Sequence, residues 1–138
     1  MPGNATVARG AAPAAEPFEV DREKTCPLLL RVFPTIGGHH RLKDYEKRGE
    51  EPKNELQIYT WMDASLREIT ELIQMVHPAA NKPHATLSFA TVYPDKKGIN
   101  VFHPIGRCHA SKRGRDDDKT LKDLNFQIGD FLDVGIFL

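Results

Sequence analysis

The chain has 138 residues, its 19 basic side chains are balanced by 19 acidic ones, and 40% of it is hydrophobic. A cancelled charge argues against an electrostatic nucleic-acid binder, which gathers a basic surplus on one face, and no apolar run of about eighteen residues exists to cross a bilayer. The N-terminal segment lacks the basic start and apolar block of a secretory signal, and Cys26 and Cys108 are too few for a disulfide scaffold or thiolate zinc site, so an intracellular single domain with reduced thiols is expected.

Residues 1–24 are dominated by Ala, Pro and Gly, with few large apolar side chains to offset ordering entropy, and read as a flexible tail. Phe18 and Val20 are its only candidates for fastening to the domain edge. Residues 25–138 form the expected domain. The stretch 26–34, CPLLLRVFP, reads as a buried strand bounded by prolines, with Leu29, Arg31 and Phe33 on one face and Leu30 and Val32 on the other. Gly37 and Gly38 then mark a turn, and the mixed charges up to residue 55 mark an exposed excursion that enlarges a hairpin.

Across residues 55–78 a strand pattern changes into a helix pattern. Leu56, Ile58 and Thr60 alternate with Gln57, Tyr59 and Trp61. From Leu66 the period becomes helical through Ile69, Ile73 and Val76. Asp63 stands where an N-cap oxygen is wanted and Pro78 stops the helix, which spacing places at about residues 63–77. A strand follows at 85–94, where Leu87, Phe89 and Tyr93 compete with Ala90 and Val92 for the inward side. Asp95 to Gly98 form a turn, 99–108 is extended with Pro104 indicating an edge or bulge, and 107–119 is a polar loop. Leu132, Val134 and Ile136 alternate with Asp133 and Gly135 in a closing half-buried strand.

Strand, strand, helix and three further strands resemble a ubiquitin-like β-grasp, an α+β fold with a mixed sheet carrying one main helix on one face. A right-handed crossover through the helix to a parallel neighbour is expected. The segments DREKTCPLLLRVF at 21–33, GGHHR at 37–41, LQIYTWMDASLREIT at 56–70 and FQIGDFLDV at 126–134 are similar to the Sin3-associated polypeptide family, its eighteen-kilodalton subunit. That resemblance implies a non-enzymatic nuclear adaptor, with the cytoplasm left open as a second compartment. Its implied partners are the Sin3 histone deacetylase corepressor and the exon-junction-linked assembly of acinus or pinin with a serine-rich RNA-recognition-motif protein. The 107–119 loop and the Ala-rich tail depart from the family pattern, so contacts there are not carried over.

The residues themselves offer little chemistry. The six histidines fall in loops or at element ends, with His39 and His40 the best metal candidates. Cys26 has no visible base, and no nucleophile elbow or glycine-rich phosphate loop is present. No enzyme activity, metal, cofactor or small-molecule substrate is expected, and the ending Gly135-Ile136-Phe137-Leu138 lacks the paired glycines of a conjugated modifier. Surface recognition remains. If Leu30, Val32, Leu56 and Ile58 face the helix, then Leu29, Arg31, Phe33, Tyr59 and Trp61 crowd the opposite sheet face as a partner-binding patch, unless the hairpin excursion or the tail folds over it. Two alternatives stand beside this: weak RNA contact through Lys112, Arg113 and Arg115, and PB1-like self-association pairing Arg31 with Asp116 to Asp118.

Overall fold

A computed structural model describes residues 18–138. Among the described residues five strands form one sheet: β1 (Leu28–Ile36), β2 (Leu56–Thr60), β3 (Thr86–Pro94), β4 (Asn100–His109) and β5 (Phe131–Phe137), with the helix α1 (Leu66–Val76) between β2 and β3. The spatial order is β2-β1-β5-β3-β4. Only β1 and β5 pair in parallel, and the other three pairings are antiparallel. This is the ubiquitin-like β-grasp. One detail differs from expectation: the crossover through α1 leads from β2 to β3, which is separated from β2 by β1 and β5. The parallel neighbours are the first and last strands, brought together because the chain adds β5 to the middle of the sheet.

The core follows from alternation. Leu28, Leu30 and Val32 of β1, Leu87 and Phe89 of β3, and Leu132, Val134 and Ile136 of β5 point at Leu66, Ile69 and Ile73 of α1, all buried. Leu87 and Phe89 thus settle the inward register of β3, with Val92 on the other face. Ser65, not Asp63, caps the helix, accepting the Glu68 N–H at 3.1 Å. The Leu66 and Arg67 N–H groups reach the Lys119 and Asp117 carbonyls, so the 114–119 loop satisfies donors the first turn leaves open. Val76, the last residue of α1, is exposed and not part of the core face that spacing gave it.

β1 runs on through Pro34 to Ile36, beyond the end expected from the proline. Pairing with β2 stops at Val32, and the Pro34 carbonyl takes the Asn54 amide on that vacated side, so the missing N–H removes no ladder bond. In β4 the register shifts where Phe89 meets Gly106 and Ala90 meets Pro104, leaving Ile105 as the bulged residue. Gly106 lets the bulge approach the helix, since a Cβ there would stand 2.8 Å from Leu66 Cδ1.

Candidate functional site

The sheet's second face is where sequence and structure diverge most. The 37–45 segment, expected as a solvated excursion, folds across the middle of that face. Its anchor is Asp133, fully buried in the central strand β5 and not half-exposed as alternation alone implied. Asp133 Oδ1 lies 2.6 Å from His39 Nδ1, Oδ2 lies 3.0 Å from His40 Nδ1, and the Tyr45 hydroxyl donates to Oδ2. His39 Nε2 meets Ser88 Oγ at 3.1 Å, while Thr35 Oγ1 meets the His40 ring. Burial, then the bond to Asp133, pushes the Tyr45 phenol far above its ordinary range. Gly135 makes the approach possible, because a Cβ there would meet the Gly38 carbonyl oxygen at 2.7 Å.

Ser88, His39 and Asp133 share the connectivity of a nucleophile triad. The surroundings do not support that chemistry. Ser88 is buried in a strand whose backbone is paired on both sides, which leaves no spare N–H pair for an oxyanion. His39 and His40 spend Nδ1 on the same carboxylate, and no three His, Cys, Asp or Glu side chains among the described residues are placed to hold a metal ion together. The cluster is a latch that holds a loop to a sheet.

The latch changes the patch expected from sequence. Phe33 is fully buried, edge-on to Tyr45 and Phe131 at centroid distances of 5.3 and 5.2 Å, so it belongs to a second small core and to no free surface. Arg31 lies over Phe131 at 5.0 Å and donates to both oxygens of Glu55 and to Glu51. Those bonds hold the guanidinium firmly charged and depress the Glu55 carboxyl below its usual range. Leu29 is half-buried, and Tyr59, its cross-strand partner on the edge strand β2, is 63% exposed. Trp61 is half-buried and donates through Nε1 to the Thr25 carbonyl at 2.8 Å.

Residues 18–25 form a strap over the junction of β2 and α1. Arg22 lies 4.9 Å above the Trp61 ring and bridges Asp63 and Glu68, both at 2.8 Å. Asp63 also accepts the Val20 N–H, and Lys122 sits 4.0 Å from the Phe18 ring. Burial works against the Asp63 charge, but Arg22 and the Val20 N–H outweigh it and hold the carboxyl below its ordinary value. This is the role Asp63 plays in place of the cap.

In the 107–119 loop the charges answer one another. Arg67 of α1 pairs with buried Asp117, Arg113 with Asp118 and Lys119 with Asp116, while Lys112 and Arg115 are exposed. The basic and acidic groups that PB1-like pairing would need are engaged within the chain, Arg31 by glutamates and the aspartates by this loop. Cys108 is buried beneath it, and burial raises its thiol to about 11.

Fold and surface together define a ubiquitin-like module with one sheet face latched shut and an aromatic edge left open. The family model for Sin3 associated polypeptide p18 (SAP18) matches residues 19–136, and so takes in most of the strap, the first four strands and all but the last residue of β5. A histone deacetylase complex subunit SAP18 from Arabidopsis thaliana is 55% identical over 127 residues, 91% of this chain and 84% of the relative. The Homo sapiens subunit of that name is 50% identical over 119 residues, 85% and 77% of the two chains. The Drosophila melanogaster one is 47% identical over 119 residues, 86% and 79%. The chain belongs to the SAP18 family.

Proposed function

We propose that this chain is a non-enzymatic adaptor subunit of a nuclear histone deacetylase corepressor complex that works by holding segments of partner proteins. The family match over residues 19–136 carries this reading, since the relatives are named as subunits of such a complex. The docking surface we assign is the open side of β2, with Tyr59 at its centre, Leu29 beside it and strapped Trp61 at its end. Arg31 is half-buried and held by Glu51 and Glu55, and Phe33 lies in the second core, so neither is part of the open surface. An edge strand can add main-chain pairing with an extended peptide while Tyr59 packs against it.

The same surface fits the finer role implied by the resemblance, binding acinus or pinin beside a serine-rich RNA-recognition-motif protein and so linking repression with mRNA processing. The test is a pull-down of the histone deacetylase assembly, and separately of an acinus or pinin fragment, with Tyr59→Ala. Loss of a hot-spot aromatic is worth about 2 kcal/mol, which weakens a complex more than tenfold. Retained capture of both by a folded Tyr59→Ala domain would remove this edge from the site. If only the acinus or pinin fragment is lost, the edge serves the processing complex and the corepressor docks elsewhere. RNA contact through the 107–119 loop predicts instead that binding falls steeply with salt.

A further inference from the structure

Tyr59 lies on one side of the second sheet face; at its foot is a separate hollow. The segment after Tyr45, the β3–β4 turn and the loop before β5 enclose a cleft of about 960 Å³, with Tyr45, Tyr93 and Phe131 among its walls. Four carboxylates line it, Glu46, Glu51, Asp95 and Asp130, against two cations, Arg48 and Lys96. They are not equally occupied. Glu51 takes Arg31 and the Gly49 N–H, and Asp95 takes the N–H groups of Lys97 and Ile99. Glu46 has no side-chain partner among the described residues. Asp130 accepts one bond, from the Gln127 N–H at 3.0 Å. Burial outweighs that bond and raises its carboxyl above the usual range. Asp130 is thus a carboxylate partly out of water with one backbone donor and no cation paired to it among the described residues, in a cleft that half-buried Tyr93 also lines.

We propose that this cleft docks an arginine-bearing peptide segment of a partner protein, with a guanidinium forked on Asp130 and stacked on Tyr93. Arginine fits better than lysine because its planar fork satisfies a carboxylate at two points while its face lies against a ring. The excess of acid over base in the lining sets the sign of the partner, and the volume suits a few residues of extended peptide. Arg31 links Glu51 in the cleft wall to the Tyr59 side of the face, but Asp130 and Tyr93 make no side-chain hydrogen bond to Tyr59 or Leu29, so substitutions at those positions test the two surfaces apart.

Fluorescence anisotropy with the full chain tests it, using a fluorescein-labelled peptide of alternating arginine and glycine and its lysine and glutamate counterparts. The arginine peptide is expected to bind best. Asp130→Asn and Tyr93→Ala should each weaken it about tenfold, while the remote, exposed Glu23→Gln leaves it unchanged. Asp130→Asn is nearly isosteric, so it decides the matter if Tyr93→Ala melts early. Equal binding by wild type and a folded Asp130→Asn, no binding of the arginine peptide, or tighter binding of the glutamate peptide would each overturn the proposal.

Discussion

His39 reaches two strands with one ring, lying 2.6 Å from Asp133 on β5 through Nδ1 and 3.1 Å from Ser88 on β3 through Nε2. An aspartate with no exposed surface is tolerable only because His39, His40 and Tyr45 all reach it. Asp133→Ala is therefore expected to lower stability by about 3 kcal/mol, since it leaves the buried Tyr45 hydroxyl without an acceptor, takes one bond from each of two half-buried histidines and opens a space in the central strand. Urea unfolding measures the loss. Amide exchange should show 37–45 opening with the rest of the sheet still protected.

A smaller change probes the same contact from the other side. In Gly135→Ala the new Cβ would stand 2.7 Å from the Gly38 oxygen and 3.0 Å from the His39 ring, so the loop must lift. Overpacking of this kind costs about 1–3 kcal/mol. The melting temperature should fall, and the His39 ring resonances should move more than those of His84 at the β3 end. Unmoved His39 resonances would show that the strand, and not the latch, gives way.

Phe33 and Tyr59 separate stability from binding on one sheet face. Phe33→Ala empties a fully buried position and should cost about 3–5 kcal/mol. Tyr59→Ala, at a 63% exposed position, should change stability by no more than about 0.5 kcal/mol while weakening partner capture. A large loss of stability in Tyr59→Ala would place the ring in the fold and not in the docking surface.

How much of this was legible follows from which contacts are local. The switch from period two to helical period at residues 56–76 exposed β2 and α1 directly, because alternation and turn chemistry act between near neighbours. The latch joins His39 to Asp133 across 94 positions, and no pattern within a window records such a bond. One sign was available: Asp133 sits between Leu132 and Val134 in an otherwise apolar strand, and a charge placed there needs a distant partner. The double histidine after Gly37 and Gly38 supplied it. Asp63 was read as the cap, but Ser65 takes that place, and the bond from Arg22 that Asp63 accepts instead spans 41 positions and leaves no local pattern.

Acid should weaken the fold in a way that separates two kinds of carboxylate. Glu55 is held below its ordinary value by Arg31, and Asp63 is held below its own by Arg22 and the Val20 N–H in spite of burial. For a folded value below the unfolded one, the stabilisation is present above the unfolded value, about 4, and is lost as pH falls through the folded value. Asp130 has the opposite sign: burial raises it, so its charged form opposes folding at neutral pH and the opposition fades as pH falls. Arg22→Gln should lower the melt at pH 7 and shrink the difference between pH 7 and pH 3. Asp130→Asn should raise the melt at pH 7 and change little at pH 3. Thermal melts across that range test both, and a lowered melt for Asp130→Asn at pH 7 would mean that its carboxylate already has the cation the cleft is argued to lack.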